Sequence, residues 1–578
     1  MSRICLGKDQ KTGRRFYFDT RQLARHLQVV GSTGSGKSVF LLRIIYFLMM
    51  QLLPRQPLFI LDPLGGLCKD ILNFVSHPTL CTDEVRDRII YIAPGEREYV
   101  MPINSLRHEN IDQLYYRTSR TSEAMLFSGA SQDVSIQLRL KRWLYNTFMA
   151  VGSLGLPPAT AQFLIETGTD QHNFLLSRLP QDVAMCWAEV LNASPRERIA
   201  LLDSTRNRLH PFFSCPILNR MLSTTDSFFD VERFIRERKI VLVNLAPMGV
   251  LNGAESDTIG RLIVNEIIQT IRNRATENIQ PTTLIMDEFQ GFITEELLRA
   301  LPQTRGLGLQ LILAHQSFSQ LKQKEVDFSK IVWQAQSRAM FANSAEDADI
   351  VALELASQTF DPYVLKDQIV VSKQRKIGQE IVRLRNHSDT HTSSNAFDRS
   401  TGSGTSRGQS YRPFTFSDER TYTDSNNTSS GTSEKNATSQ GGSDGWSETL
   451  ADVLQDYKEE TSRTYFSFEE HMLGYARDVR NKGVGKAFIK LPGDPAIHDI
   501  AIQQYPVFET PMLLDAKAAL LEKNFSDRSL FLPQPEVDQR WIQFVKDLGA
   551  GNISMATDVA SRLVIDEKRM SGQDDDFR

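Results

Sequence analysis

The chain has 578 residues, 41% of them hydrophobic and 24% charged, an ordinary globular composition that allows two or three domains and a large core. Its formal net charge of -4 excludes a uniformly basic nucleic-acid wrapper, so any DNA contact has to come from a local basic surface or a pore. The five cysteines are scattered, with no CxxC pair, which argues against a disulfide framework or a zinc site and for reduced thiols in a cytosolic protein.

The opening MSRICLGKDQ is charged and has no signal-peptide pattern. The most hydrophobic region, Val39 to Leu61, is broken by Arg43, Pro54 and Arg55, whereas a membrane span needs about 20 uninterrupted apolar residues. A soluble, cytoplasmic chain is expected, one that meets an inner membrane only through a partner. Short runs rich in Val, Ile and Leu predict strands at Leu27–Val30, Leu58–Leu61, Ile89–Ile92, Ile240–Leu245, Thr283–Met286, Leu309–Leu313 and Arg338–Phe341. Most are apolar on both faces and have helical patterns between them, as in a parallel sheet covered by helices. The expected fold class is α/β, with core segments at 1–110 and 231–386.

Residues 111–230 break this alternation. In VSIQLRLKRWLYNTFM, Ile136, Leu140, Trp143, Leu144 and Phe148 fall on one helical face, and Pro195 and Arg196 follow a capping serine, Ser194. An all-helical insertion is expected here. From His387 to Gly445, Ser, Thr, Gly, Asn and Asp dominate and Leu, Ile, Val and Met are missing. Such a stretch cannot bury enough apolar surface to offset its ordering entropy, so 387–447 is expected to be disordered, and its HSDTH histidines carry no metal site. Order is expected to return at Leu450, with helical periodicity to Asn481 and a strand at Lys486–Leu491, so that 448–505 rejoins the core. The last segment, 506–578, reads as helical with an acidic tail.

Gly31, Ser32, Thr33, Gly34, Ser35, Gly36, Lys37 and Ser38 form G-x-x-x-x-G-K-S between a predicted strand and a predicted helix. Glycines let backbone N–H groups curl around phosphate oxygens, and the helix N-terminus faces the same oxygens. Lys37 would reach the β- and γ-phosphates of ATP, and Ser38 would ligate Mg²⁺. Downstream, TTLIMDEFQGF is an apolar strand ending in two carboxylates. Asp287 would hold the cation through water and Glu288 would polarise the attacking water, a pairing that suits hydrolysis. The alternative for these acids is a helix cap and a first-turn acid. RGLGLQLILAHQSFSQL gives a further strand ending at Gln316, which either senses the γ-phosphate or orients water, or merely starts a helix. Arg305 before it is an arginine finger for a neighbouring subunit's nucleotide or a surface arginine of a turn. Two basic runs, Arg139–Lys141–Arg142 and Lys373–Gln374–Arg375–Lys376, could grip DNA phosphates or simply be solvated faces.

GSTGSGKS, DEFQ, an Arg-Gly turn and a strand ending in HQS, in that order, resemble the HerA/FtsK superfamily of RecA-like ATPases, and most of all the TraD/TraG-type coupling proteins of conjugative and type IV secretion systems. FILDPLGG, PINSL and IVLVNLAP before GRLIVNEIIQTIRNR are similar to further segments of that family, although Leu64 stands where the family often has lysine. The resemblance implies a RecA-like core with nucleotide on Lys37 and Ser38, hydrolysis through Asp287 and Glu288, Gln316 as sensor and Arg305 as finger in trans. It also implies ATP and Mg²⁺ as cofactors, a homo-hexameric ring and DNA in its channel. Membrane-bound secretion components, a relaxase or a nuclease become the expected partners. The family's N-terminal membrane helices have no counterpart in this sequence. The competing expectations are a cytosolic HerA-like DNA-processing translocase or helicase working with a nuclease, and a secretion-system ATPase that recruits protein cargo and uses ATP as a switch.

Overall fold

Apolar runs and helical patterns alternate along most of the chain, and the strands they form gather into one sheet. The computed structural model describes residues 3–50, 55–96, 98–126, 134–274, 280–323, 326–392, 402–408, 423–429, 439–504 and 509–553. It divides into two units, residues 1–360 with 468–578, and residues 361–467.

The larger unit holds an eleven-stranded sheet. Its strands are β1 (Arg3–Asp9), β2 (Arg15–Asp19), β3 (Leu27–Val30), β4 (Leu58–Asp62), β5 (Ile89–Ile92) and β6 (Ile240–Asn244). They continue with β7 (Thr282–Met286), β8 (Leu309–His315), β9 (Ser337–Met340), β10 (Lys486–Lys490) and β11 (Ile497–Ile502). The spatial order is β2-β1-β11-β10-β9-β3-β8-β7-β4-β6-β5. From β9 to β5 all neighbours are parallel, and the four remaining strands add on antiparallel. All seven strands expected from apolar runs are present, and they are the parallel ones. Their residues are buried throughout because both faces are covered. Phe59 and Leu61 belong to one core, whereas Leu58 and Ile60 join the other, against helix Lys37–Met50, as the two-residue period of a strand requires.

The stretch between β5 and β6 is helical, with nine α-helices described from Ile111–Leu126 to Val231–Arg236. Leu140, Trp143, Leu144 and Phe148 face its interior as expected; the side chain of Ile136 lies outside the described residues. Trp143 and Trp187 meet edge to face at 5.3 Å between ring centroids. Ser194 and Glu197 form a reciprocal capping box. Helices Pro511–Phe525 and Gln534–Gly549 return over β5 and the insertion. The side chain of Asn524 accepts from the Tyr91 N–H at 2.9 Å and donates to the Tyr91 carbonyl at 2.8 Å. It thereby satisfies backbone groups of an edge strand that would otherwise invite another chain. The acidic tail lies outside the described residues. Among the described residues, no helix is long and apolar enough to cross a membrane.

The smaller unit departs from expectation. Leu365–Thr392 and Ser439–Tyr465 pair antiparallel into a long ribbon, with Ile381 opposite Leu450. The core segment expected to run to 386 therefore yields to ribbon before Leu365. The stretch from Leu450, expected as helix, is strand up to Tyr465, and the helix begins at Phe468. Parts of 387–447, expected as disorder, are also strand: the ends of that ribbon and the pair Gly402–Gly408 with Thr423–Ser429. Cross-strand pairing supplies the backbone hydrogen bonds of these polar residues without a buried core, which a count of apolar residues cannot foresee.

Candidate functional site

The loop Gly31–Ser38 leaves β3, Asp287 follows β7 and Gln316 follows β8, and β8 lies between β3 and β7. Parallel strands put all three carboxyl ends on one edge, where α/β sheets bind ligands. Gly34 and Gly36 have φ of +77° and +110°, values that favour glycine. A Cβ on Gly36 would also sit 2.8 Å from the backbone of Gly485, whose N–H donates to the Ser35 carbonyl at 2.9 Å. The turn before β10 is thus the floor of the loop.

The Lys37 ammonium is buried. It donates to the carbonyls of Gly31 at 2.6 Å and Ser32 at 3.3 Å. Burial lowers its pKa, and the charges of Glu288 and Asp287 oppose that shift. The Asp287 carboxyl is buried too; burial, then Glu288 and Asp62, push its pKa up to about 7 against the pull of Lys37. Glu288 stands in the left-handed region at φ 46°, a costly backbone state for a residue with a Cβ. Both its oxygens are engaged: Gln316 Nε2 donates to Oε1 at 2.7 Å, and Gln290 Nε2 donates to Oε2 at 2.8 Å. Thr33 Oγ1 donates to Gln316 Oε1 at 2.8 Å. One amide therefore joins the phosphate loop to the carboxylate. Ser38 is exposed on the first turn of the helix. Arg305 lies in a single helical turn, Thr304–Leu307, and its side chain is outside the described residues.

Three contributors escaped the sequence reading. Asp62, at the end of β4, is fully buried and accepts from the N–H groups of Leu64, Gly65 and Cys68. It caps helix Gly66–Ser76 and sets a second negative charge behind Asp287. His315 is fully buried with its pKa lowered to about 4 by burial. It accepts from Gln28 Nε2 at 2.9 Å and donates from Nδ1 to the Ser317 carbonyl at 3.2 Å, bracing the backbone on both sides of Gln316. The third is the Gly485 turn, signalled only by two glycines just before a strand.

This donor set fits a nucleoside triphosphate with Mg²⁺. A hydroxyl and a carboxylate are hard oxygen donors, and Mg²⁺ takes one or two such ligands and fills its remaining sites with phosphate and water. Among the described residues, Lys37 has only loop carbonyls as hydrogen-bond partners, and Ser35 Oγ is buried in the loop without one. The basic run at Arg139, Lys141 and Arg142 is exposed, and Arg142 pairs with Glu189, as the solvated face of an amphipathic helix would.

Two family profiles match the chain: the FtsK/SpoIIIE family over residues 2–77 and Type IV secretory system Conjugative DNA transfer over residues 170–397. The first profile takes in the phosphate loop and β4; the second takes in Asp287, Glu288 and Gln316. No curated protein matches the chain. Among solved structures, the bacterial conjugative coupling protein TrwBdeltaN70 in its unbound monoclinic form is 15% identical with a TM-score of 0.47, over 86% of this chain and 90% of that one. Plasmid coupling protein TrwB in complex with ADP and Mg²⁺ is 15% identical with a TM-score of 0.46, over 86% and 89%. VirB4 of Thermoanaerobacter pseudethanolicus is 15% identical with a TM-score of 0.36, over 61% and 87%.

Proposed function

We propose that this ATPase moves DNA, as a ring of identical subunits that hydrolyse ATP with Mg²⁺ at the carboxyl ends of β3, β8 and β7. The observation that carries the hydrolytic part is the chain of contacts from Thr33 through Gln316 to Glu288, beside buried Lys37 and Asp287. Lys37 exchanges its loop carbonyls for the β- and γ-phosphate oxygens. Ser38 and Asp287 hold Mg²⁺, which neutralises charge on the phosphates when bound. Glu288 accepts a proton from the attacking water, and Gln316 keeps its carboxylate aimed while touching the loop that feels the γ-phosphate. Arg305 serves a neighbouring subunit's nucleotide. The DNA part is supported by the conjugative-transfer profile. Secretion components, a relaxase or a nuclease would present or receive the DNA.

The test is ATP hydrolysis by the purified chain with and without single- and double-stranded DNA, beside Lys37→Ala. DNA is expected to stimulate hydrolysis several-fold in the parent and to leave the variant silent. Robust hydrolysis indifferent to every DNA form would turn the reading toward protein recruitment. Gln316→Ala is expected to lower kcat by about 10- to 100-fold with little change in KM for ATP, because it loosens Glu288 without removing a phosphate ligand. A rise in KM of the same size with kcat unchanged would make Gln316 a binding residue instead.

A further inference from the structure

Among the described residues, the two long strands of the ribbon in residues 361–467 pair with each other on one side only, and the two strands are of opposite charge. Over the described side chains, the strand from Leu365 to Arg385 carries six cations and two anions, and the strand from Asp444 to Tyr465 carries six anions and two cations. The basic run Lys373–Lys376 belongs to the first. Within the ribbon the strands already match each other: Lys373 with Glu459 at 2.6 Å, Lys376 with Asp452, Arg383 with Glu448 at 2.7 Å and Arg385 with Asp444 at 3.4 Å. Both faces also expose apolar side chains, among them Ile369, Val371, Ile381, Leu450, Leu454 and Tyr457. A two-stranded ribbon cannot bury such residues by itself; a third strand is needed.

We propose that ribbons of separate copies pair edge to edge, the basic strand of one copy beside the acidic strand of the next. Each strand in the ribbon uses one of its two lateral sides. A second copy offers the free side the same complement that the first side already has, together with backbone donors and acceptors. Charges scattered along an edge protect against pairing of any kind. Here the signs are sorted by strand, so like edges repel and only unlike edges join. Such a contact is head to tail: every copy keeps one basic and one acidic edge, and the series ends only by closing on itself. DNA fits the basic strand less well, because the acidic strand runs beside it along its whole length.

The proposal needs copies of this chain to meet but needs no hydrolysis, so it is tested on nucleotide-free full-length protein. Light and heavy isotope-labelled copies are mixed in high salt, returned to low salt and treated with a zero-length lysine–carboxylate crosslinker. Links from Lys366, Lys373 or Lys376 to the acidic strand are expected in mixed light–heavy form. Links that are only light–light and heavy–heavy would overturn the proposal. The Lys37→Ala protein is expected to give the parent's links, which separates this result from the fate of the motor reading.

Discussion

Glu288→Gln is expected to keep ATP binding and to lose hydrolysis by about 10²- to 10⁴-fold, the usual contribution of a positioned general base. The substitution is close to isosteric and removes only the charge that attracts the water's proton. Gln316 and Gln290 both donate to the Glu288 carboxylate. An amide in its place keeps one acceptor oxygen but turns its NH₂ toward one of those donors, so one contact is lost. Lys37, Ser38 and the loop are untouched, and the dissociation constant for ATP is expected to stay within about threefold of the parent, less than 1 kcal/mol. Nucleotide binding by fluorescence and single-turnover hydrolysis separate the two effects. A variant that hydrolyses at even a tenth of the parental rate would remove Glu288 from the role of base, and Asp287 would become the candidate. A variant that no longer binds ATP would make the Glu288 carboxylate part of the binding shell.

The parallel half of the sheet was legible because burial on both faces writes itself as unbroken apolar runs. β4 reads LFILD and β7 reads TTLIM, and every residue of both is buried. Of the antiparallel strands, β10 was expected at Lys486–Leu491, and β1, β2 and β11 were missed for the converse reason. β2, RFYFD, leaves two of its five residues exposed and two half-buried, with only Phe18 buried, so no continuous apolar run marks it. The glycine loop Gly31–Ser38 and the Asp287–Glu288 pair stand out in the sequence because each is contiguous, and the fold brings them to one edge of the sheet. Asp62, His315 and the Gly485 turn do not, because each acts on residues far away in the chain. Gly485 meets Gly36 across about 450 positions. The ribbon misled for a related reason. Its stability lies in pairs such as Arg383 with Glu448, and the helical period read between Leu450 and Tyr465 was a coincidence of spacing that strand pairing overrode.

Asp287→Asn is expected to stabilise the metal-free protein while abolishing Mg²⁺-dependent hydrolysis, and the stabilisation should grow with pH. The Asp287 carboxyl is buried beside Glu288 and Asp62, with Lys37 as its nearby cation, and its pKa stands at about 7 against an ordinary 3.8. Between those values the folded chain holds a proton that the unfolded chain has released. Stability then falls as pH rises through this window and levels off above it. A shift of about three units corresponds to about 4 kcal/mol at most. The amide cannot ionise, and its oxygen can still accept the Glu288 N–H as the acid does at 3.1 Å. In chelator, the variant and the parent are therefore expected to melt together near pH 4, with the variant ahead by several degrees at pH 8. ATP with Mg²⁺ is expected to close that gap at pH 8 by stabilising the parent alone, since a bound cation compensates the ionised carboxylate and has no such partner in the amide. A gap of the same size at both pH values would mean that packing, not charge, separates the two proteins. A gap that persists with ATP and Mg²⁺ would take Asp287 out of the metal site. The same three acids that make the metal-free site costly to charge would attract a divalent cation, so the stability given up near pH 7 is expected to return only with ATP and Mg²⁺ bound.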